Sequence, residues 1–273
     1  MSHPFFALPT PLVIGHRGAA GERPENTLAS FERALADGAV ILESDVHLTR
    51  DGVPVLIHDD ELARCTDGAG PVREHDLAAL RRLDAGHRFA PGGCDGFPFR
   101  GRGLRIPTLA EALERFPRAR FNLELKERVP GLVARSVAAV AEAKRAHDVL
   151  LTSADDALMA ELRAHVAEKR LDVALGACTG EVARFALAAL RGEAPAPGPM
   201  ALQIPAEFAG RPLVTPELVT HAHRFGVQVH VWTIDEPGEM RALLELGVDG
   251  IVTDFPARLV RVIAERARWS AAG

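Results

Sequence analysis

The stretch ILESDVHLTRDGVPVLIHD, running from Ile41 to Asp59, holds an apolar strand, a turn and a returning arm. Asp51-Gly52, set between alternating apolar residues, favours a two-residue type I′ hairpin. With those two residues in the loop, Arg50 pairs with Val53, Thr49 with Pro54 and Asp45 with His58. Side chains alternate faces along a strand, so Glu43 and Asp45 point the same way. The spacing therefore predicts two carboxylates and an imidazole gathered at one place. Pro54 cannot donate to a ladder, which makes the returning arm an edge.

Upstream, Leu12 to Gly15 is a short apolar run ending in Gly15-His16-Arg17-Gly18. Asn26 is placed to cap a helix carrying Leu28, Phe31 and Leu35 at helical spacing, stopped by Gly38. Val40 to Asp45 is then a second strand. Downstream, Asp60 to Arg105 is irregular and rich in glycine. It is too long for a simple connection and reads as the bulk of an insertion at about 47–105. Regular alternation resumes at Thr108, which forms a capping box with Glu111 for a helix through Phe116. Further strands are predicted at Phe121 to Leu125, Val149 to Thr152, Leu171 to Gly176, Ala201 to Ile204, Val227 to Trp232 and Gly250 to Thr253. Helices lie between them, with start signals at Ser153 and at Thr215-Pro216, and a last helix runs from about Ala257 to Trp269. Eight buried apolar strands alternating with helices predict a (β/α)8 TIM barrel with a small insertion after strand 2, in preference to an open doubly wound sheet. The whole chain, 1–273, is expected to form one domain.

Composition agrees with this. The 273 residues are 47% hydrophobic and 25% charged, as in ordinary globular proteins, and an α/β barrel occupies about 250 residues. The net charge of −5 gives no electrostatic footprint for nucleic acid. Cys65, Cys94 and Cys178 show no CxxC spacing and are odd in number, which points to a reducing, cytoplasmic compartment rather than a disulfide framework. The N-terminus lacks a basic start and is broken by prolines, so it does not read as a signal peptide. No stretch approaches the roughly 18 uncharged apolar residues needed to cross a bilayer, and no stable membrane association is expected.

In such a barrel the working residues lie at the C-terminal ends of the strands, and the unusual residues fall there. Glu43, Asp45 and Glu124 can converge. Two like charges about 4 Å apart repel by about 4 kcal/mol at an effective dielectric near 20, so three acids call for a cation or for protonation. All-oxygen donors favour Mg²⁺ or Ca²⁺ over zinc. His16 and His58 are the candidate acid and base, since imidazole titrates near neutral pH. The other histidines, His221, His223 and His230 among them, are assigned to surface or packing. Arg17 and Lys126 supply positive charge to an anionic substrate. Trp232, facing the mouth, is placed to cover the apolar carbons of a small polyol.

These residues sit in an ordered series that resembles the glycerophosphodiester phosphodiesterases. The series comprises HRG at His16 to Gly18, PENT at Pro24 to Thr27, ExD at Glu43 to Asp45, and TxDGxxVxxHD at Thr49 to Asp59. It continues with RCTDG at Arg64 to Gly68, LDAG at Leu83 to Gly86, IPTLAEAL at Ile106 to Leu113 and ELK at Glu124 to Lys126. VWTID at Val231 to Asp235 and GVDGIVTDFP at Gly247 to Pro256 complete it. The resemblance implies the barrel with its insertion. It also implies a divalent cation on Glu43, Asp45 and Glu124, His16 and His58 as the acid–base pair, and Arg17 and Lys126 on the phosphate. The activity it implies is hydrolysis of a small glycerophosphodiester to sn-glycerol 3-phosphate and an alcohol. The residues leave open whether water attacks directly or the neighbouring glycerol hydroxyl attacks through a cyclic phosphate. They also leave open which histidine is the acid, and the oligomeric state.

Three rival readings remain. The same chemistry on lysolipids needs an apolar groove, for which Phe89, Phe97 and Phe99 are the candidates. A non-catalytic barrel that binds phosphorylated ligands would be expected to have lost a metal ligand or a histidine, and this chain keeps them all. A metal-dependent aldolase or lyase would need a Schiff-base lysine, for which Lys126 is the placed candidate, or a metal-bound enolate, and would leave the histidine pair unused.

Overall fold

The computed structural model describes residues 3–92 and 95–272, with side chains to residue 268; Cys94 lies outside the described residues. In chain order the principal elements begin with β1 (Leu12–Gly15), α1 (Leu28–Ala36), β2 (Ile41–Leu48), β3 (Pro54–Leu56), α2 (Leu77–Leu80) and α3 (Leu109–Arg115). Next come β4 (Arg120–Leu125), α4 (Leu132–Glu142), β5 (Val149–Thr152), α5 (Asp156–Lys169), β6 (Ala174–Leu175) and α6 (Thr179–Arg191). The series ends with β7 (Ala201–Pro205), β8 (Glu207–Phe208), β9 (Arg211–Pro212), α7 (Pro216–Arg224), β10 (Gln228–Trp232), α8 (Pro237–Leu246), β11 (Gly250–Thr253) and α9 (Pro256–Ala272).

Eight strands follow one another in the order β6-β5-β4-β2-β1-β11-β10-β7, and every neighbouring pair is parallel. The seam between β6 and β7 is bridged by the Met200 N–H, which donates to the Leu175 carbonyl at 2.9 Å. The result is the predicted (β/α)8 barrel. Its main core lies between sheet and helices, where Phe31, Leu42, Leu109, Phe121, Leu151 and Val231 are buried. A second cluster of Phe5, Leu12, Ile14, Ile41, Leu150 and Val252 fills the other side of the strands.

Several local expectations shift. Thr27, not Asn26, caps α1, its hydroxyl accepting the Ser30 N–H at 3.2 Å. Asn26 adopts a left-handed φ of 54° and sends its amide to Asp45 instead. Ser153 donates to the Leu125 carbonyl, and Asp155 caps α5. Leu171 N–H bonds back to the Val166 carbonyl, so it closes α5 rather than starting the strand expected from Leu171 to Gly176.

The hairpin register differs by one residue. Leu48 faces Pro54 and Val46 faces Leu56, so the loop is Arg50-Asp51-Gly52. Three-residue loops end in a left-handed glycine, and Gly52 has φ +78°. The cause is Thr49, whose hydroxyl donates to Asp51 at 2.6 Å and accepts the Val53 N–H at 2.9 Å. In this register a continued ladder would turn His58 away from Asp45. The ladder stops with Ile57 N–H on the Asp45 carbonyl, and the chain bends at His58, so the imidazole still reaches the strand ends. Beyond it, Val55, Ile57, Leu62, Val72, Leu80 and Ile106 give the insertion its own small core.

The His16-Arg17-Gly18 turn is held against α1. Gly18 has φ +91°, and a Cβ there would lie 2.4 Å from the Ser30 hydroxyl and 2.6 Å from its carbonyl carbon. Gly18→Ala is expected to cost roughly 2–5 kcal/mol through backbone strain and overpacking. A urea midpoint unchanged from wild type would show that the turn relaxes freely.

Candidate active site

The barrel mouth holds a cavity of about 360 Å³. His16, Arg17, Glu43, Asp45, His58, Glu124, Lys126 and Trp232 all line it, so every residue read from the sequence as an acid–base, substrate-binding or metal-binding candidate reaches one place. Parallel pairing sets Glu43 beside Asn122 and Asp45 beside Glu124, and paired residues on parallel strands point the same way.

Each imidazole is held from behind by an aspartate. His16 Nδ1–H donates to Asp254 at 2.7 Å, and His58 Nδ1–H donates to Asp59 at 2.6 Å. Both rings therefore keep Nε2 for the cavity. Burial opposes charge on His16, but the Asp254 bond and the Glu43 charge outweigh it and raise its pKa. Asp254 is set by Asp235, which accepts its backbone N–H at 2.9 Å. His47, assigned from sequence to packing, hydrogen-bonds the His58 carbonyl through Nε2 at 3.0 Å.

The cations sit among the acids. Lys126 Nζ lies 3.1 Å from Glu124, 3.5 Å from Asp45 and 3.4 Å from His58 Nε2. Burial works against its charge, but Asp45 and Glu124 prevail and raise its pKa. Arg17 donates its backbone N–H to Glu43 at 2.9 Å and its guanidinium to Glu25 at 2.9 Å, with Nε 3.4 Å from Asp45. Burial first, and then the Asp45 charge, push the Glu43 carboxyl up to about 7. Among the described residues no three His, Cys, Asp or Glu side chains close onto one point as a metal site; Lys126 and Arg17 reach in among the acids instead.

A second layer escaped the sequence reading. Arg64, from the insertion, donates to both oxygens of Glu25 at 2.7 Å each and also to Asp59. Burial would raise the Glu25 carboxyl, yet the Arg64 bonds and the Arg17 charge bring it down to about 2. A lowered carboxyl stabilises the fold above its unfolded value of 4.5, and that contribution is lost as pH falls through about 2. Glu25→Gln is therefore expected to lower the melting temperature at pH 7, with a deficit that shrinks in paired melts below pH 4.5. An equal deficit at pH 7 and pH 3 would rule out this ion pair as its source. PENT and RCTDG contain Glu25 and Arg64, so the signal was present as motif without a role.

The cavity is two-sided. Its charged lining comes from residues 16–126, whereas Thr152, Ala154, Ala177, Gln203, Trp232 and Thr233 make the other side uncharged. Gln203 donates to Asn122 at 2.6 Å, and its carbonyl oxygen is buried with no partner. Trp232 is 44% exposed at the rim. The three insertion phenylalanines do not line this cavity: Phe89 packs edge-on to Phe99, and Arg100 lies 4.0 Å over Phe97. His230 is buried in the strand and pushed down to about 4 by that burial, and His221 packs between Phe185 and Phe225, as assigned from the sequence.

Residues 16–258 match the model of the glycerophosphoryl diester phosphodiesterase family. The chain is 34% identical over 257 residues to the glycerophosphodiester phosphodiesterase of Caldanaerobacter subterraneus subsp. tengcongensis, covering 92% of this chain and 97% of that one. It is similar to the crystal structure of glycerophosphodiester phosphodiesterase from Agrobacterium tumefaciens, with a TM-score of 0.72, 26% identity and coverage of 91% and 98%. It also resembles an Oleispira antarctica phosphodiesterase solved with the product sn-glycerol-3-phosphate, with a TM-score of 0.70, 29% identity and coverage of 93% and 97%.

Proposed function

Since the chain belongs to the glycerophosphoryl diester phosphodiesterase family, and is thereby a phosphoric diester hydrolase, we propose that it releases sn-glycerol 3-phosphate from small glycerophosphodiesters such as glycerophosphocholine and glycerophosphoethanolamine. The observation that carries the mechanism is the pair of aspartate-backed imidazoles beside two cations. Arg17 and Lys126 hold the non-bridging phosphate oxygens and stabilise charge gathering there in the transition state. One histidine Nε2 takes a proton from the attacking oxygen as it bonds to phosphorus, whether that oxygen is water's or the neighbouring glycerol hydroxyl's, and in the second case water then opens the cyclic phosphate. The other histidine gives a proton to the departing alcohol as the second P–O bond breaks. Asp254 and Asp59 hold Nδ1–H of each ring, so that Nε2 faces the reacting oxygens, bare in the base and protonated in the acid.

Glu43, Asp45 and Glu124 are the donors proposed for a divalent cation. The set is all oxygen, and burial beside Asp45 drives Glu43 upward, a strain that a bound cation relieves, so the residues fit a hard ion such as Mg²⁺ or Ca²⁺. When bound it would add Lewis-acid stabilisation of the phosphoryl oxygens. Trp232, on the uncharged side, covers substrate carbons. We take residues 1–273 as one catalytic unit. Among the described residues no helix is long and apolar enough to cross a membrane, and the free thiols of Cys65 and Cys178 support a cytoplasmic placement.

The test is release of glycerol 3-phosphate from glycerophosphocholine and glycerophosphoethanolamine with Mg²⁺, Ca²⁺ or EDTA. Metal-dependent release supports the reading, and none from folded protein with any metal ends it. Lysolipid turnover gains no support from the insertion phenylalanines. A Schiff-base role does not suit Lys126, whose acid neighbours hold it charged.

A further inference from the structure

Arg64 stands outside the cavity, yet it ties together two groups that line it. Its guanidinium forms two forks at once. Nη1 and Nη2 each lie 2.7 Å from an oxygen of Glu25. Nε bonds one oxygen of Asp59, and Nη2 lies 3.3 Å from the other. Glu25 in turn receives Arg17 Nη1 at 2.9 Å, and Asp59 receives His58 Nδ1–H at 2.6 Å. Glu25 belongs to the loop after β1, whereas Asp59 and Arg64 belong to the insertion after β3. One planar guanidinium therefore joins the loop that carries the phosphate-binding arginine to the loop that carries a proton-transfer histidine. Only an arginine does this, because a lysine ammonium lacks the rigid fork needed to engage two carboxylates bidentately.

We propose that Arg64 is a positioning residue that fixes His58 and Arg17 together, the first through Asp59 and the second through Glu25. The inference rests on the reading above for what those two residues do, but its geometry stands by itself. With Arg64 gone, Asp59 is free to leave the His58 Nδ1–H and the ring loses its single tautomer. Glu25 is then held by Arg17 alone, and the Arg17 guanidinium is drawn towards it and away from the cavity. Both losses are orientational, and orientation errors of this kind are worth about 10–100-fold in rate.

The test compares Arg64→Met, Arg64→Lys, Asp59→Asn and Glu25→Gln, each confirmed as folded by thermal melting. Asp59→Asn is expected to lower kcat, and Glu25→Gln to raise KM. Arg64→Met is expected to do both, with kcat down about 10–100-fold. Arg64→Lys is expected to rescue less than half of the loss on a logarithmic scale. In kcat, Arg64→Met/Asp59→Asn is expected to be no slower than Asp59→Asn alone, since Arg64 reaches His58 through Asp59 and residues acting through one contact are not additive. The second readout needs no turnover. In ¹⁵N spectra, His58 is expected to be a single Nδ1–H tautomer in wild type and a mixture in Arg64→Met, with His16 unchanged. An Arg64→Met protein with kcat and KM near wild type, or with His58 still in one tautomer, overturns the inference. If wild type hydrolyses no glycerophosphodiester, the functional reading fails, and the ¹⁵N comparison still decides the role of Arg64.

Discussion

His16→Ala and His58→Ala are each expected to lower kcat for glycerophosphocholine by about 10²–10⁴-fold, the usual worth of a positioned acid or base, with KM moving little. The split follows from the geometry. The cations proposed to hold the phosphate keep carboxylate partners when a ring is lost: Lys126 keeps Asp45 and Glu124, and Arg17 keeps Glu25 and Asp45. Ground-state binding therefore survives when an imidazole is lost, and proton transfer does not. The double variant is expected to be scarcely slower than either single one, because taking and giving a proton are two halves of one displacement. Steady-state release of glycerol 3-phosphate, with a melting curve for each variant, checks this. A single variant that keeps a tenth of the wild-type rate would remove that histidine from the mechanism.

The second large effect is on metal. EDTA is expected to abolish turnover, and Glu43→Ala to lower it by about 10²-fold or more even with Mg²⁺ or Ca²⁺ restored, given the several kcal/mol that a Lewis acid contributes. Glu43 is the informative position. Asp45 is already paired with Arg17 and Lys126, so its removal also takes one carboxylate partner from each of two half-buried cations. Among the described residues Glu43 takes a direct hydrogen bond only from the Arg17 backbone N–H, and its replacement tests the ion more cleanly. Calorimetric titration of Mg²⁺ and Ca²⁺ into wild type and Glu43→Ala reads binding apart from rate. Equal metal affinity in the two proteins would take Glu43 out of the donor set.

The barrel was legible because its signals are local. Strands β1, β5 and β11 fall where the apolar runs placed them, and the Thr108–Glu111 and Thr215–Pro216 helix starts stand as read. The hairpin register was misjudged because Asp51-Gly52 is compatible with two loop lengths, and the choice is made by the Thr49 hydroxyl, whose bonds to Asp51 and Val53 no turn rule encodes. His58 was nevertheless brought to the mouth, by a bend after the strand rather than by the ladder. The partnerships behind the site were invisible for a different reason. Asp254 meets His16 across nearly the whole chain, and Arg64 meets Glu25 across two loops. Nothing in the spacing of either pair announces a contact that only barrel closure creates.

The two-sided cavity divides labour along the polypeptide. With the exception of Asp254, the groups assigned to bond-breaking are encoded before residue 127, and the uncharged wall opposite them is encoded after residue 151. A gene for this chain can thus be diversified over its second half, outside Asp235 and Asp254 behind His16, without disturbing the reacting groups. Retargeting towards a bulkier or more polar alcohol becomes a matter of recombining one segment, and the ancestry of chemistry and of selectivity can be inherited separately within one barrel.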